Sequence, residues 1–162
     1  MTDTQNMEEA FELLYDATAK PLYNLTLYTI GDQPIAERIL TDIFVDVFYT
    51  ISDQADSDLF KKKCIKSLYR RIRKIRIEPE YDIGCIAQFK IKGRQQKPED
   101  IKRAQLFCIL RRLSFEERYI ILLFCWQRLS LKQIAETLCL PKFLVRKCLH
   151  AITAKAAAVS ET

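Results

Sequence analysis

The chain has 162 residues, of which 49% are hydrophobic and 29% charged, with a formal net charge of +5. That length supports one domain of ordinary size or two small helical ones, each with a real core. No apolar run approaches the roughly 20 residues that span a bilayer, and the acidic start MTDTQNMEEAFELL lacks the basic opening of a secretory signal, so a cytoplasmic location is expected.

Strand signals are few along the chain, and the elements read as helices. The segment 8–18 places Phe11, Leu14 and Tyr15 on one face. Pro21 is expected to interrupt or restart that helix, which then continues through Leu22, Leu25 and Leu27 to Ile30. Gly31 and Asp32 mark a stop followed by a cap, with Pro34 suited to the first turn of the next helix. From there the apolar stripe is regular: Ala36, Ile39, Leu40, Ile43, Phe44, Val47, Phe48 and Ile51. Arg38, Thr41, Asp42, Val45 and Asp46 fall on the opposite face. Residues 52–58 are polar and read as a loop. A further helix is expected over 59–77, with Phe60, Cys64, Ile65, Leu68, Ile72 and Ile75 as its apolar set and a dense basic remainder that includes Lys66, Arg70, Arg71 and Lys74. Tyr69 lies among these charges. It either stacks on the bases of a single strand or packs on a neighbouring helix.

Residues 78–99 hold two of the three glycines and two of the five prolines, and read as a linker. Helix resumes over 100–113. Ser114 with Glu117, and Ser130 with Gln133, are spaced as capping boxes for two further helices. The first of these presents Ile120, Ile121, Leu123, Phe124 and Trp126. The second is short and buries Ile134, Ala135 and Leu138. A tight turn at Cys139, Leu140 and Pro141 leads to a third, with Leu144, Val145, Cys148, Leu149 and Ile152 at helical spacing. Lys142, Arg146 and Lys147 fall off that stripe. Two short helices joined by such a turn have the layout of a helix-turn-helix, whose second helix can enter a DNA major groove.

The modest net charge conceals a strong segregation. Residues 1–58 carry a net of −10, residues 59–112 a net of +12 and residues 113–162 a net of +3. The middle block suits phosphate neutralisation with counterion release; the acidic block suits a protein partner or the basic block itself. The six cysteines (64, 85, 108, 125, 139 and 148) show no CxxC pair and no zinc spacing with His150. They read as buried, reduced thiols, with Cys108, Cys125 and Cys148 among apolar neighbours. No phosphate-cradling glycine loop or metal motif is present. Asp42 and Asp46, one turn apart, read as solvated carboxylates, so neither catalysis, a cofactor nor a small-molecule substrate is expected.

Taken together, the motifs resemble a compact bacterial sigma factor of the extracytoplasmic-function type. Its C-terminal pattern is matched without a gap by Leu110, Leu113, Ser114 and Arg118, then Ser130, Gln133, Ile134, Ala135, Glu136, Leu138, Leu140 and Pro141, then Val145, Arg146 and Leu149. Its N-terminal pattern is matched by residues 36–44, AERILTDIF. Arg38 stands where the family has Asp, Thr41 where it has Gln, Cys139 where it has Gly, and Ala151 where Arg is common. The resemblance implies an all-α chain of two small helical domains: 7–77, the linker 78–99, and the helix-turn-helix domain 100–158. It implies core RNA polymerase on Arg38, Thr41, Asp42 and Val45, and promoter DNA on Lys142, Arg146, Lys147, Lys66, Arg70, Arg71 and Lys74. An anti-sigma protein is a further partner of such a chain. Two other readings stay open: a sigma-like interaction protein that binds polymerase or a regulator without recognising a promoter, and a plain helix-turn-helix regulator.

Overall fold

The computed structural model describes residues 2–51, 56–75 and 108–160, which are all-α, with no strand among them. Six helices follow in order: α1 Thr2–Ile30, α2 Gln33–Thr50, α3 Ser57–Ile72, α4 Phe115–Cys125, α5 Leu131–Leu138 and α6 Lys142–Ser160. A helical turn at 108–111 leads into α4. The linker 78–99, the start of the helix expected from 100 and residues 52–55 of the expected loop lie outside the described residues. Helix α3 starts at Ser57, within the loop expected over 52–58, and ends at Ile72, short of the expected 77, with residues 73–75 already out of helix.

Local chemistry sets most of the boundaries. Gly31 takes the left-handed conformation (φ 74°) that ends α1. The Asp32 carboxylate then accepts the Ile35 N–H at 2.9 Å and starts α2. Asp56 caps α3 through the Leu59 N–H at 2.7 Å. Both expected capping boxes form: Ser114 with Glu117 and Ser130 with Gln133 each satisfy two helix-end donors reciprocally. Cys139 closes α5 in the left-handed region (φ 55°, ψ 43°), and the Pro141 carbonyl accepts the first-turn bonds of α6 from Leu144 and Val145.

Three expectations are corrected. Pro21 neither stops nor restarts a helix; α1 runs through it. Its missing N–H leaves the carbonyl of Ala17, an exposed residue that water can reach, while Leu22, Leu25 and Ile30 beyond it are fully buried. Packing on that side outweighs one lost backbone bond. In α4 the buried face is Phe115, Arg118, Tyr119, Ile120, Leu122 and Leu123, whereas Phe124 and Trp126 are exposed. A helix apolar on more than one side does not announce its phase. Cys108 and Cys125 are exposed rather than buried, and Cys148 is half-buried; Cys64 alone among the described thiols is buried.

The stripe of α2 packs on α1 and α3 as its period requires, with residues from Ala36 to Val47 in the core. Phe44 stacks on Phe60 with ring centroids 5.6 Å apart, and Phe11 meets Phe48 edge-on at 4.8 Å. Burial of α1 also takes in threonines. Thr26 and Thr29 donate their hydroxyls to the carbonyls four residues back at 2.7 Å, which satisfies both within the core.

The hydrophobic core does not stop at the end of the N-terminal half. Leu110, Leu113, Tyr119, Leu122, Leu123, Ile134 and Val145 belong to the same buried cluster as Leu25, Ile43 and Leu68. Helix α4 packs on α1 and α3, α5 packs on α3, and α6 lies against α4 and α5. The Tyr119 hydroxyl donates to the Ile65 carbonyl at 2.5 Å, its ring stacks on Tyr69 at 5.8 Å, and Tyr28 meets Trp126 edge-on at 4.4 Å. Tyr69 is therefore a packing residue, only 4% exposed, and not a platform for bases. At the rim Arg73 pairs with Glu116 at 3.2 Å.

Arg118 is the least expected member of this core. It is 4% exposed. Its Nε donates to the Leu110 carbonyl at 2.7 Å and its Nη1 to the Thr29 carbonyl at 3.1 Å. Both carbonyls lie at the C-terminal ends of helical segments, where the helix dipole is negative; that of Leu110 also accepts the Leu113 N–H at 3.1 Å. Helix α1 has no basic residue in its own last turn; a cation from the other half of the chain supplies it.

Candidate nucleic-acid interface

Helix α6 is anchored by Val145 and Ile152, which are almost fully buried against α4 and α5. Fixing those two positions turns Lys142, Arg146 and Lys147 outward, and all three are exposed, as is His150. None of these three cations forms an ion pair among the described residues. Between them stand Phe143, 66% exposed, and Leu144, 42% exposed. Leu144, expected in the buried stripe, falls outside it, one helical step from Val145. The first turn of α6 thus presents cations interleaved with apolar groups. That chemistry suits phosphates and guanine edges through the cations, and thymine methyls through the apolar groups.

The basic residues of α3 divide. Arg70 is exposed and Lys66 half-buried, and Lys74, in the turn just beyond the helix, is exposed. Lys66 and Arg70 line a shallow groove of about 300 Å³ against Asp46 and Thr50 of α2. Arg71 is committed elsewhere: its guanidinium bonds Asp42 at 3.2 Å and Asp46 at 2.6 Å. One candidate DNA contact is thereby joined to one candidate polymerase contact. These carboxylates are more than half exposed, so the bridge contributes modestly to stability, about 1 kcal/mol or less per pair, but it orients α2 on α3.

On α2, Arg38, Thr41, Asp42 and Val45 all face outward. Val45 is 44% exposed and its neighbour Tyr49 75%. The Thr41 hydroxyl donates back to the Glu37 carbonyl at 2.8 Å. This face mixes apolar and acidic groups, as a protein-binding surface does.

Two features were missed in the sequence. Phe143 was passed over because it is apolar, although it lies off the stripe defined by Val145, Leu149 and Ile152. The second is a cleft of about 350 Å³ between α3 and α5, which takes in Lys61, Lys62, Lys63 and Lys66. Its walls are more than 60 residues apart in the chain.

Thiol chemistry does not single out a reactive site. Burial pushes the Cys64 thiol up to about 12 and, with help from Glu117 and Glu116, that of Cys148 up to about 11. Among the described residues no group of three or more His, Cys, Asp or Glu side chains is placed to hold a metal ion, and no helix is long and apolar enough to cross a membrane. No protein-family model matches the chain, and no curated protein sequence matches it significantly.

Proposed function

We propose that this chain is a sigma factor of the extracytoplasmic-function type, a non-catalytic cytoplasmic subunit that binds core RNA polymerase and directs promoter-specific initiation. The observation that carries the reading is the first turn of α6. After a three-residue turn, a helix held by Val145 and Ile152 exposes Lys142, Arg146 and Lys147 with no carboxylate partner among the described residues. In this reading α5 and α6 form the helix-turn-helix and α6 enters the major groove. The outward face of α2 (Arg38, Thr41, Asp42 and Val45) docks on polymerase. Lys66 and Arg70 of α3, with Lys74 in the turn just beyond it, serve promoter phosphates near the melted element. An anti-sigma protein would be the natural regulator of such a chain.

The pairing of Arg71 with Asp42 and Asp46 favours a second reading. It occupies a candidate DNA group and a candidate polymerase group with each other, as suits a sigma-like interaction protein that binds polymerase without choosing a promoter. Footprinting on DNA selected from a random pool separates the two. The sigma reading expects a protected site that Arg146→Ala weakens by about 1–3 kcal/mol. An unchanged footprint at moderate salt removes Arg146 from the reading face.

A further inference from the structure

The cleft between α3 and α5 is built by both halves of the chain. Lys61, Lys62, Lys63 and Lys66 line it from α3, and none of them forms an ion pair among the described residues. Two carboxylates also line it, but each has another setting. Glu136 lies 3.9 Å from Lys132, and Asp58 sits in the first turn of α3, where the helix dipole holds a negative charge. With four lysines along one open cleft, an anion bound there relieves the repulsion between neighbouring ammonium groups.

The facing wall is neutral and rich in donors. The Gln133 Oε1 accepts the Ser130 N–H at 2.8 Å, which fixes the amide and leaves its Nε2 to donate. Thr137 adds a hydroxyl, and Ile65 with Leu129 forms an apolar floor. The turn that carries Leu129 is itself held in a costly conformation: Arg128 has φ 52° without being glycine. A volume of about 350 Å³ is at the small end of ligand pockets. It holds a few linked phosphates but no duplex.

From this geometry we infer that the α3–α5 cleft is a binding site for a short oligophosphate, either free or as the tail of a nucleotide. The phosphates lie along Lys61, Lys62, Lys63 and Lys66, and the donors of α5 close over them. This site is separate from the α6 surface assigned to DNA. A ligand in it touches both halves and stabilises their packed arrangement, because it binds only where both walls are present.

The test is calorimetric titration of the full chain with inorganic tripolyphosphate, ATP and AMP at moderate salt. Tripolyphosphate and ATP bind, and AMP, with a single phosphate, binds about tenfold more weakly or worse. Equal affinity for the first two marks the phosphate chain alone as the ligand; tighter ATP marks a nucleotide whose ring uses the Ile65 and Leu129 floor. The variant Lys61→Gln/Lys62→Gln, which spares the α3 lysine assigned to promoter phosphates, loses about tenfold or more in affinity, while Lys142→Gln/Lys147→Gln, with the same change in charge on α6, keeps it. That second variant instead loses DNA binding, so a failure of the cleft and a failure of the DNA reading give different patterns. Circular dichroism of each variant checks the fold. The inference is overturned if no oligophosphate binds, if both variants lose affinity equally, or if the cleft lysines prove to hold only DNA.

Discussion

Arg118 donates to the carbonyl of Thr29, 89 residues earlier in the chain, and so ends α1 from within the C-terminal half. The same guanidinium holds the Leu110 carbonyl at 2.7 Å. Replacing Arg118 with Met keeps much of the apolar stem but removes the charged donor from both helix-end carbonyls, and that of Leu110 keeps only the Leu113 N–H. The expected loss is about 2–4 kcal/mol of unfolding free energy, measured by urea denaturation. Tyr119→Phe removes only the hydroxyl bond to Ile65 and is expected to cost about 1–2 kcal/mol. Because these contacts and the core are shared by both halves, wild type should melt in one transition, not two.

Cys139 occupies a left-handed position, φ 55°, where a β-carbon crowds the backbone. Cys139→Gly is therefore expected to stabilise the chain, by about 1 kcal/mol, read as a rise in the urea midpoint at constant slope. Cys139→Val should destabilise it, since a β-branched residue tolerates that conformation least. A fall in midpoint for the glycine variant would contradict this account of the turn.

Glu117 ties the α4 capping box to α6 through Lys155 at 2.8 Å. Burial alone would raise its carboxyl, but the Lys155 and Ser114 contacts outweigh burial and lower it from the ordinary 4.5. A lowered folded value means that this contribution is fully present above the unfolded value and is lost as pH falls through the folded one. The stability gap between wild type and Glu117→Gln should thus be widest near neutral pH and narrow progressively below about 4.5. A gap that does not change with pH would show that the carboxylate charge is not what Lys155 and Ser114 hold.

Cys64 is buried and its thiol is held neutral far above physiological pH. Maleimide should label Cys139 in the folded protein, where it is exposed, while Cys64 reacts only as fast as the chain opens. Peptide mapping of labelled sites with and without urea checks this. Rapid labelling of Cys64 in buffer would show that α3 is not packed against the C-terminal half.

Helix α2 was the most legible element. Its apolar residues repeat at a single helical phase, and that phase is the buried one. The caps of α2, α4 and α5 were legible for a similar reason, since each depends on residues only three apart. Helix α4 was not, because apolar side chains surround its later turns and only Glu116, Glu117 and Arg118, all in its first turn, are charged. Pro21 reads as a break when the packing of Leu22 and Leu25 is unseen. At the candidate interface, exposure of Lys142, Arg146 and Lys147 followed from their phase relative to Val145. The partners of Arg71 did not follow, since Asp46 and Asp42 lie 25 and 29 residues away. The α3–α5 cleft was equally hidden, because only tertiary packing brings its walls together.

In the proposed function the outward face of α2 and the first turn of α6 serve one activity, polymerase-dependent promoter choice. Run-off transcription on genomic fragments with purified bacterial core RNA polymerase tests it most directly. The account expects discrete transcripts that require the chain, shift to background with Lys142→Gln/Lys147→Gln, and weaken with substitutions at Thr41 and Val45. Stable association with core polymerase and no promoter-specific transcript on any fragment would contradict it.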